Sequence, residues 1–348
     1  MRGEGDRTLP ELIQAWESGS DLSAVDGLTF RSGDVVHANP GRTLISDLDQ
    51  LPWPARDHTQ RIVEAGGKLN MVRSRGCYAN CAFCSIASFY RLQSGAAWRQ
   101  RSIDDVLDEM TWLGERWPGT EIKFHDDQFI GPGRKGHEDA LAFAEALLFR
   151  GLKIPYYIFA RADTVEPELF MALKRSGLSS VFVGVESGSQ RGLNALGKRI
   201  SVDENRQAIQ TLSDLGIRFH MGLIFFDPYT EMEDVAANVS FLQDTQPLWS
   251  APGNTLSVEN RVIVYKGTPF FDRLTRDDRI EGDYLDHDYA ILDWRVRLLC
   301  RASHVLIRCL LPALSRLRRL PDHMRILRAT LRHRLTGTAT PVAPLSGR

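Results

Sequence analysis

Three of the five cysteines in this 348-residue chain lie within one stretch of eight residues. They are Cys77, Cys81 and Cys84, in the segment RSRGCYANCAFCSIASFY, and their spacing is C-x3-C-x2-C. Thiolates suit zinc or iron–sulfur clusters, but structural zinc prefers four protein ligands and an ordinary 4Fe–4S cluster takes four cysteines. Three thiols on one short loop therefore indicate a cluster with one iron left open to a small-molecule ligand. The alternatives are a zinc site and three cysteines packed in a core.

The segments around the cysteines alternate between short β-rich runs and amphipathic helices. Six apolar runs predict buried parallel strands, at residues 69–75, 121–126, 154–160, 180–186, 217–226 and 256–265. Between them, Ser102 is a predicted N-cap, Ser201 and Glu204 a capping box, and Gly177 and Gly216 helix ends. Strands that are each followed by a helix form a parallel sheet. The expected fold class is α/β, a partial (β/α)6 TIM-like barrel with its chemistry at the C-terminal strand ends.

Composition and charge limit the classes of function. The chain has 43 basic and 44 acidic residues, so we expect no general attraction to nucleic acid or anionic lipid. No apolar run approaches the roughly 20 residues of a membrane-spanning helix, and the N-terminus has no apolar signal core. We therefore expect a cytoplasmic protein whose clustered cysteines bind metal rather than form disulfides.

The cysteine segment resembles the signature of the radical SAM superfamily. That signature is C-x3-C-x2-C after the first strand of a partial barrel, with an aromatic residue before the last cysteine, and Phe83 stands in that place. The resemblance implies that the thiolates hold a 4Fe–4S cluster whose fourth iron binds S-adenosylmethionine. One electron from a donor such as flavodoxin or ferredoxin would cleave that cofactor. The resulting 5′-deoxyadenosyl radical would then take a hydrogen atom from a small-molecule substrate.

Three further segments resemble motifs of the same superfamily. In FHDDQFIG, Asp126 or Asp127 would meet the cationic amine of the cofactor, with an N-cap pair as the structural alternative. In FARADTV, Arg161 could bind a carboxylate or form a structural salt bridge. In FVGVESGS, Glu186 and Ser187 would hydrogen-bond the ribose or the amino-acid end of the cofactor.

The ends of the last two predicted strands supply substrate candidates. The segment FFDPYTEMEDV lacks the glycines of the family's Gly-x-Pro-Gly-Glu-Thr turn, which frees Asp227 and Tyr229 to contact substrate. Glu259, Arg261 and Tyr265 alternate along the sixth strand and therefore share one face. If that face points into the barrel, these three residues contact substrate as well.

The flanks of the barrel resemble one branch of the superfamily. Residues 1–60 resemble the junction between a cobalamin-binding domain and a radical SAM barrel, and no βαβα series or Asp-x-His-x-x-Gly motif precedes the cysteines. We expect the barrel at residues 61–275, an Arg-rich helical region at 276–335 and a disordered tail at 336–348.

These flanks divide the functional hypotheses. Without a cobalamin domain, cobalamin is not favoured, and we expect decarboxylation, dehydration, epimerisation or oxidation of a natural-product or sugar-type substrate. If the true chain begins further upstream, a cobalamin-dependent methyltransferase becomes the leading alternative. An RNA-modifying enzyme is a further alternative because of the Arg-rich tail, but no small β-barrel RNA-binding module follows the barrel. A non-catalytic iron–sulfur scaffold is the remaining class.

Overall fold

The computed structural model describes residues 1–283 and 286–305, without the side chains of residues 257–260, 304 and 305. The chain divides into two compact units, Met1–Arg297 and Leu298–Arg348. Every described strand belongs to the first unit. The predicted tail at 336–348 and most of the Arg-rich region lie outside the described residues.

The first sixty residues form a helix and a hairpin. Helix α1 (Thr8–Ser18) ends at Gly19, whose φ of 65° lies in the left-handed region that suits a helix C-terminus. Strands β1 (Thr29–Ser32) and β2 (Val35–Ala38) pair antiparallel. Helix α2 (Thr59–Glu64) follows and leads into the main sheet.

Beyond α2 the chain alternates between strands and helices. The strands are β3 (Leu69–Met71), β4 (Ser74–Arg75), β5 (Arg99–Gln100), β6 (Ile122–Phe124), β7 (Tyr156–Arg161), β8 (Leu178–Glu186), β9 (Arg218–Phe226), β10 (Thr255–Arg261), β11 (Ile280–Gly282) and β12 (His287–Tyr289). The helices are α3 (Ser85–Tyr90), α4 (Ile103–Arg116), α5 (Gly133–Phe149), α6 (Pro167–Arg175), α7 (Gln190–Ala195), α8 (Val202–Asp214), α9 (Met232–Asp244), α10 (Gln246–Trp249), α11 (Pro269–Arg276) and α12 (Trp294–Val305).

Six of the strands form one parallel sheet in the order β3-β6-β7-β8-β9-β10. Within the described residues β3 and β10 do not pair with each other, so they are the two edges of an open barrel. The predicted fold class, an α/β partial (β/α)6 barrel, is confirmed.

Side chains along each strand alternate between two environments. One set packs under the helices and forms the main core. There, the rings of Phe124, Phe143 and Tyr156 contact one another edge to face, and Phe129 contacts Phe124 and Phe143, with ring centroids 5.1 to 6.0 Å apart. Such pairs add about 0.5–1.5 kcal/mol each beyond area burial. The other set faces the lumen of the barrel.

The first predicted strand, residues 69–75, is broken in the structure. Strand β3 ends at Met71, and the chain bends before β4. The carboxylate of Asp126 accepts hydrogen bonds from the backbone N–H groups of Arg73 (2.8 Å) and Ser74 (2.9 Å). This side chain takes the place of a neighbouring strand, and β4 pairs with β5 instead.

The helix ends follow the predicted signals. The Ser102 side chain caps α4, and Ser201 and Glu204 form a capping box at the start of α8. Gly177 and Gly216 follow α6 and α8 with φ values of 116° and 60°. No helix of the described residues is both long and apolar enough to cross a bilayer.

Candidate functional site

The three clustered cysteines lie on the loop between β4 and α3, where the first strand unit of the barrel ends. Cys77, Cys81 and Cys84 are half-buried free thiols. Burial raises the pKa of Cys77, and it raises the pKa of Cys84 to about 11. The Cys77 and Cys84 thiols therefore keep their protons at neutral pH, and a bound metal would displace those protons.

Backbone contacts fix this cysteine loop (residues 76–84) against other parts of the barrel. The Ala82 N–H donates to Leu196 O (2.8 Å) after α7, and the Ala82 carbonyl accepts from the Phe270 N–H (3.0 Å) in α11. At the start of the loop, Gly76 has a φ of 83°, and a Cβ there would lie 1.8 Å from Ala97 O. The loop is thus positioned by the protein itself.

The thiols suit an iron–sulfur cluster better than a single metal ion. A zinc ion needs ligands that converge on one point. In the part of the chain that the structure describes, no three His, Cys, Asp or Glu side chains do so. In a cluster each cysteine binds its own iron, so the three thiols need not converge on one point. Phe83, the aromatic residue of the signature, is half-buried in the same loop.

The two aspartates that follow β6 have different environments. Asp126 is buried, and it also accepts a hydrogen bond from the Ser74 hydroxyl (2.8 Å). Burial raises its pKa to about 6. Asp127 is exposed, and its Oδ2 accepts a hydrogen bond from the Gly76 N–H (3.0 Å) of the cysteine loop. Of the two, Asp127 is the better placed to meet a cofactor amine.

Arg161, at the end of β7, makes several contacts within the site. Its Nε and Nη2 donate to the Asp163 carboxylate (2.9 and 3.0 Å), and Nη2 also donates to Lys198 O (2.9 Å). Its Nη1 lies 3.5 Å from Cys81 Sγ. These contacts favour the salt-bridge alternative over a carboxylate-binding role.

Glu186 ends β8 in a strained conformation. Its φ is 64°, which is uncommon for a residue other than glycine, and the pairing with β9 shifts between Gly184 and Glu186. The Glu186 Oε1 accepts a hydrogen bond from Lys198 Nζ (3.0 Å). A Cβ at Gly184 would lie 2.6 Å from that oxygen and 3.0 Å from Lys198 Nζ. The glycine and the strained turn therefore bring a carboxylate and a buried ammonium group together. No sequence motif identifies Lys198 in advance.

Ser187 is buried and holds the turn after β8. Its hydroxyl donates to Asn238 Oδ1 (3.0 Å) and accepts from the Ser189 N–H (3.1 Å). A Cβ at Gly192 would lie 2.6 Å from the same hydroxyl. A cofactor role for Ser187 stays a prediction.

Two of the substrate candidates lie in the turn after β9. Asp227 is buried, and its carboxylate accepts from the Tyr229 N–H (2.7 Å). The Tyr229 hydroxyl donates to Asp277 (2.6 Å), and the Arg273 guanidinium stacks 3.8 Å from its ring centre. Both residues therefore have intramolecular partners, and their contact with substrate stays a prediction.

The remaining substrate candidates lie on or after β10. Arg261 donates to both carboxylate oxygens of Asp288 (2.7 and 3.0 Å) on β12. Tyr265 is exposed. The side chain of Glu259 lies outside what the structure describes.

An open parallel barrel with a C-x3-C-x2-C loop at its edge defines the class of protein. Residues 71–242 match the radical SAM superfamily, so the chain carries a radical SAM domain and is an enzyme of that superfamily. Its cofactors are those of the superfamily, a 4Fe–4S cluster and S-adenosylmethionine.

Two curated relatives are each 31% identical to the chain. The alignment with an uncharacterized methyltransferase of Pyrococcus horikoshii covers 69% of this chain and 51% of the relative. The alignment with 4′-phospho-dehydrooxetanocin synthase of Priestia megaterium covers 70% and 35%. The chain therefore spans at most about half the length of these relatives.

Among solved structures, the cobalamin-dependent S-adenosylmethionine radical enzyme OxsB, with aqua-cobalamin bound, has the same fold. The TM-score is 0.76 at 24% identity, over 88% of this chain and 50% of that one. The resemblance to the cobalamin-binding branch, predicted from the sequence, is confirmed.

Proposed function

We propose that this radical SAM enzyme removes a hydrogen atom from a small natural-product or sugar-type substrate at the mouth of the barrel. The observation that carries the proposal is the cysteine loop, fixed where the strands end and in contact with Asp127 and Arg161. When bound, the cluster and S-adenosylmethionine supply a 5′-deoxyadenosyl radical as the hydrogen acceptor. Decarboxylation, dehydration, epimerisation or oxidation would follow.

The side chains around the loop have distinct roles in this proposal. The three cysteines hold the cluster, and the acceptor-only carboxylate of Asp127 binds the cofactor amine. Glu186, oriented by Lys198 at 3.0 Å, accepts hydrogen bonds from the ribose hydroxyls. Arg161 is a positioning residue, because its nitrogens are already engaged with Asp163, Lys198 and Cys81.

The reaction needs one electron from outside the chain. A donor of the flavodoxin or ferredoxin kind would supply it. The half-buried cysteines support this, since they place the cluster close to the protein surface.

Cobalamin-dependent methyl transfer is the second candidate. One relative is named a methyltransferase, and OxsB is described as cobalamin-dependent. The chain covers only about half of each of these two proteins, so both contain further sequence that this chain does not match. RNA modification has less support, because the sequence after the barrel does not suggest a small β-barrel RNA-binding module.

The test is anaerobic reconstitution with iron and sulfide, followed by S-adenosylmethionine, dithionite and candidate substrates in deuterated buffer. We expect release of 5′-deoxyadenosine by the unaltered protein and by Cys300→Ala, which removes a cysteine outside the loop, but not by Cys81→Ala. Release of S-adenosylhomocysteine and a methylated product on addition of cobalamin would favour the second candidate. An intact cluster without release of either product would contradict both candidates and would favour a non-catalytic iron–sulfur scaffold.

A further inference from the structure

The lumen of the barrel contains a group of basic side chains on an aromatic wall. By the alternation along each strand, Lys123 of β6 and His220 of β9 face away from the helices. His125, two residues after Lys123, shares its face, and its Nε2 lies 2.8 Å from Asn70 Oδ1. We call Lys123, His125 and His220 the lumen basic group.

Aromatic rings connect the members of this group across the sheet. The Lys123 ammonium lies 5.5 Å from the ring centre of Tyr157 and 5.3 Å from that of Phe159. The rings of Phe159 and Phe182 are 5.5 Å apart, and those of Phe182 and His220 are 5.2 Å apart. An aromatic wall therefore runs over three neighbouring strands, β7 to β9, and Lys123 of β6 lies beside it.

A glycine makes room for this wall. A Cβ at Gly222 would lie 2.6 Å from Phe182 Cζ, so the ring lies directly over the backbone of β9. A flat substrate body can stack on rings in this arrangement. Gly222 pairs with Gly184 of the neighbouring strand, and Glu186 lies two residues after Gly184. The aromatic wall therefore ends next to the proposed cofactor site.

The positive charge of Lys123 acts across the lumen. Burial first, and then Lys123, lower the pKa values of both His125 and His220. Strands β6 and β9 are separated by two other strands, so the influence of Lys123 on His220 passes through the lumen. Among the side chains that the structure describes, no carboxylate lies within ion-pair distance of Lys123. By contrast, Lys68, which lies 5.1 Å from the Tyr157 ring centre, pairs with Glu121.

We infer that the lumen basic group binds an anionic group of the substrate, a phosphate or a carboxylate, while the Phe159 and Phe182 rings pack against its flat or apolar body. A lysine on an aromatic wall, with no acidic partner among the described side chains, gains most from an anionic ligand. Phe159 precedes Arg161 by two residues, or about 7 Å along the strand. The anionic end of the substrate would thus lie deep in the barrel, and its reacting end would lie near the cysteine loop. This orientation rests on the proposed function, whereas the binding of an anion does not.

Binding of simple probes tests the inference without any reaction. Calorimetry would compare 1-naphthyl phosphate, 1-naphthylacetate and neutral 1-naphthol on the anaerobically reconstituted protein. Hydrogen bonds between charged groups are stronger than those between neutral groups, so we expect at least one anion to bind about tenfold or more tightly than naphthol. The stronger anion identifies phosphate or carboxylate as the group recognised. Equal affinity for all three probes, or no binding by either anion, would overturn the inference.

Variants locate the bound anion. Lys123→Met should lose about tenfold in affinity for the preferred anion and little for naphthol, and Lys123→Arg should restore part of it. Lys68→Met is the matched control, because that lysine touches the same Tyr157 ring but has its own acidic partner. Equal losses in Lys68→Met and Lys123→Met would overturn the inference. Iron content and the cluster absorption spectrum, measured on the same samples, report separately on the proposed function.

Discussion

The Nη1 of Arg161 donates a hydrogen bond to Cys81 Sγ over 3.5 Å, while the other guanidinium nitrogens hold Asp163 and Lys198 O. One arginine thus joins the end of β7 to the cysteine loop and to the residues that follow α7. An N–H group directed at a cysteine sulfur also affects the electron affinity of an attached cluster, because it stabilises the extra negative charge of the reduced form.

Arg161→Lys should therefore lower the reduction potential of the cluster. We expect a shift on the order of 50 mV, close to a tenfold change in a one-electron equilibrium, measured by a redox titration followed by electron paramagnetic resonance. Asp163→Asn is the control, since it weakens the ion pair but keeps the guanidinium. An unchanged potential in Arg161→Lys would show that the contact with Cys81 has no electronic effect.

Gly76→Ala should disrupt the cysteine loop. The new Cβ would lie 1.8 Å from Ala97 O at a φ of 83°, so the backbone before Cys77 must move. We expect loss of most of the bound iron after reconstitution, measured by iron analysis. Gly66→Ala has a similar φ of 77° but meets no atom within 4 Å. It should cost only about 1–2 kcal/mol of unfolding free energy and retain its iron. Equal iron content in the two variants would contradict the role assigned to Gly76.

The ion pair between Lys198 and Glu186 should stabilise the barrel mouth. Both side chains are mostly buried, so Lys198→Met leaves an uncompensated charge and should cost about 3 kcal/mol of unfolding free energy. Denaturation in urea would measure this. The double variant with Glu186→Gln should lose less than the sum of the single losses. The exposed pair of Arg134 and Glu138 is the comparison, and Arg134→Met should change stability by less than about 0.5 kcal/mol. Strict additivity at Lys198 and Glu186 would show that the two charges do not interact.

Asp126 should make stability fall between about pH 4 and pH 6. Its folded-state pKa of about 6 exceeds the ordinary 3.8, because burial disfavours the charged form. The folded protein thus binds this proton more tightly than the unfolded chain. The resulting stabilisation is complete below pH 3.8 and is lost as the pH rises through 6. The loss corresponds to about 3 kcal/mol.

The measurement is the difference in unfolding free energy between the unaltered protein and Asp126→Asn over this pH range. The difference should shrink as the pH rises from about 4 to about 6. A constant difference for Asp126 would mean that its three hydrogen bonds fully offset the cost of burying its charge.

Much of the fold could be predicted because its signals are local. The capping box of Ser201 and Glu204 and the stop at Gly216 each depend on neighbouring residues in the sequence, and all of them form as expected. The strand predicted at 69–75 was too long, since the bonds that end it come from Asp126, more than fifty residues away.

The candidate site could be predicted only where spacing carries the information. The cysteines follow a fixed pattern within one loop, so the sequence suffices to identify them. The contact of Arg161 with Cys81 and that of Glu186 with Lys198 depend on how separate strands meet. Lys198 was missed for this reason, because nothing in its own segment distinguishes it from a surface lysine.

The two hydrogen bonds of Ala82 have a consequence for how the barrel opens. One joins it to Leu196, which follows α7, and the other joins it to Phe270 of α11, which follows the last strand, β10. The cysteine loop, which follows the first strand of the sheet, is therefore hydrogen-bonded to a residue that follows the last strand. It connects the two edges of the sheet, β3 and β10, that do not pair with each other in the described part of the chain. Removal of the iron should weaken this connection. In the metal-free protein, the amides of Ala82 and Phe270 would therefore exchange with deuterated solvent sooner than the amides of β7 and β8.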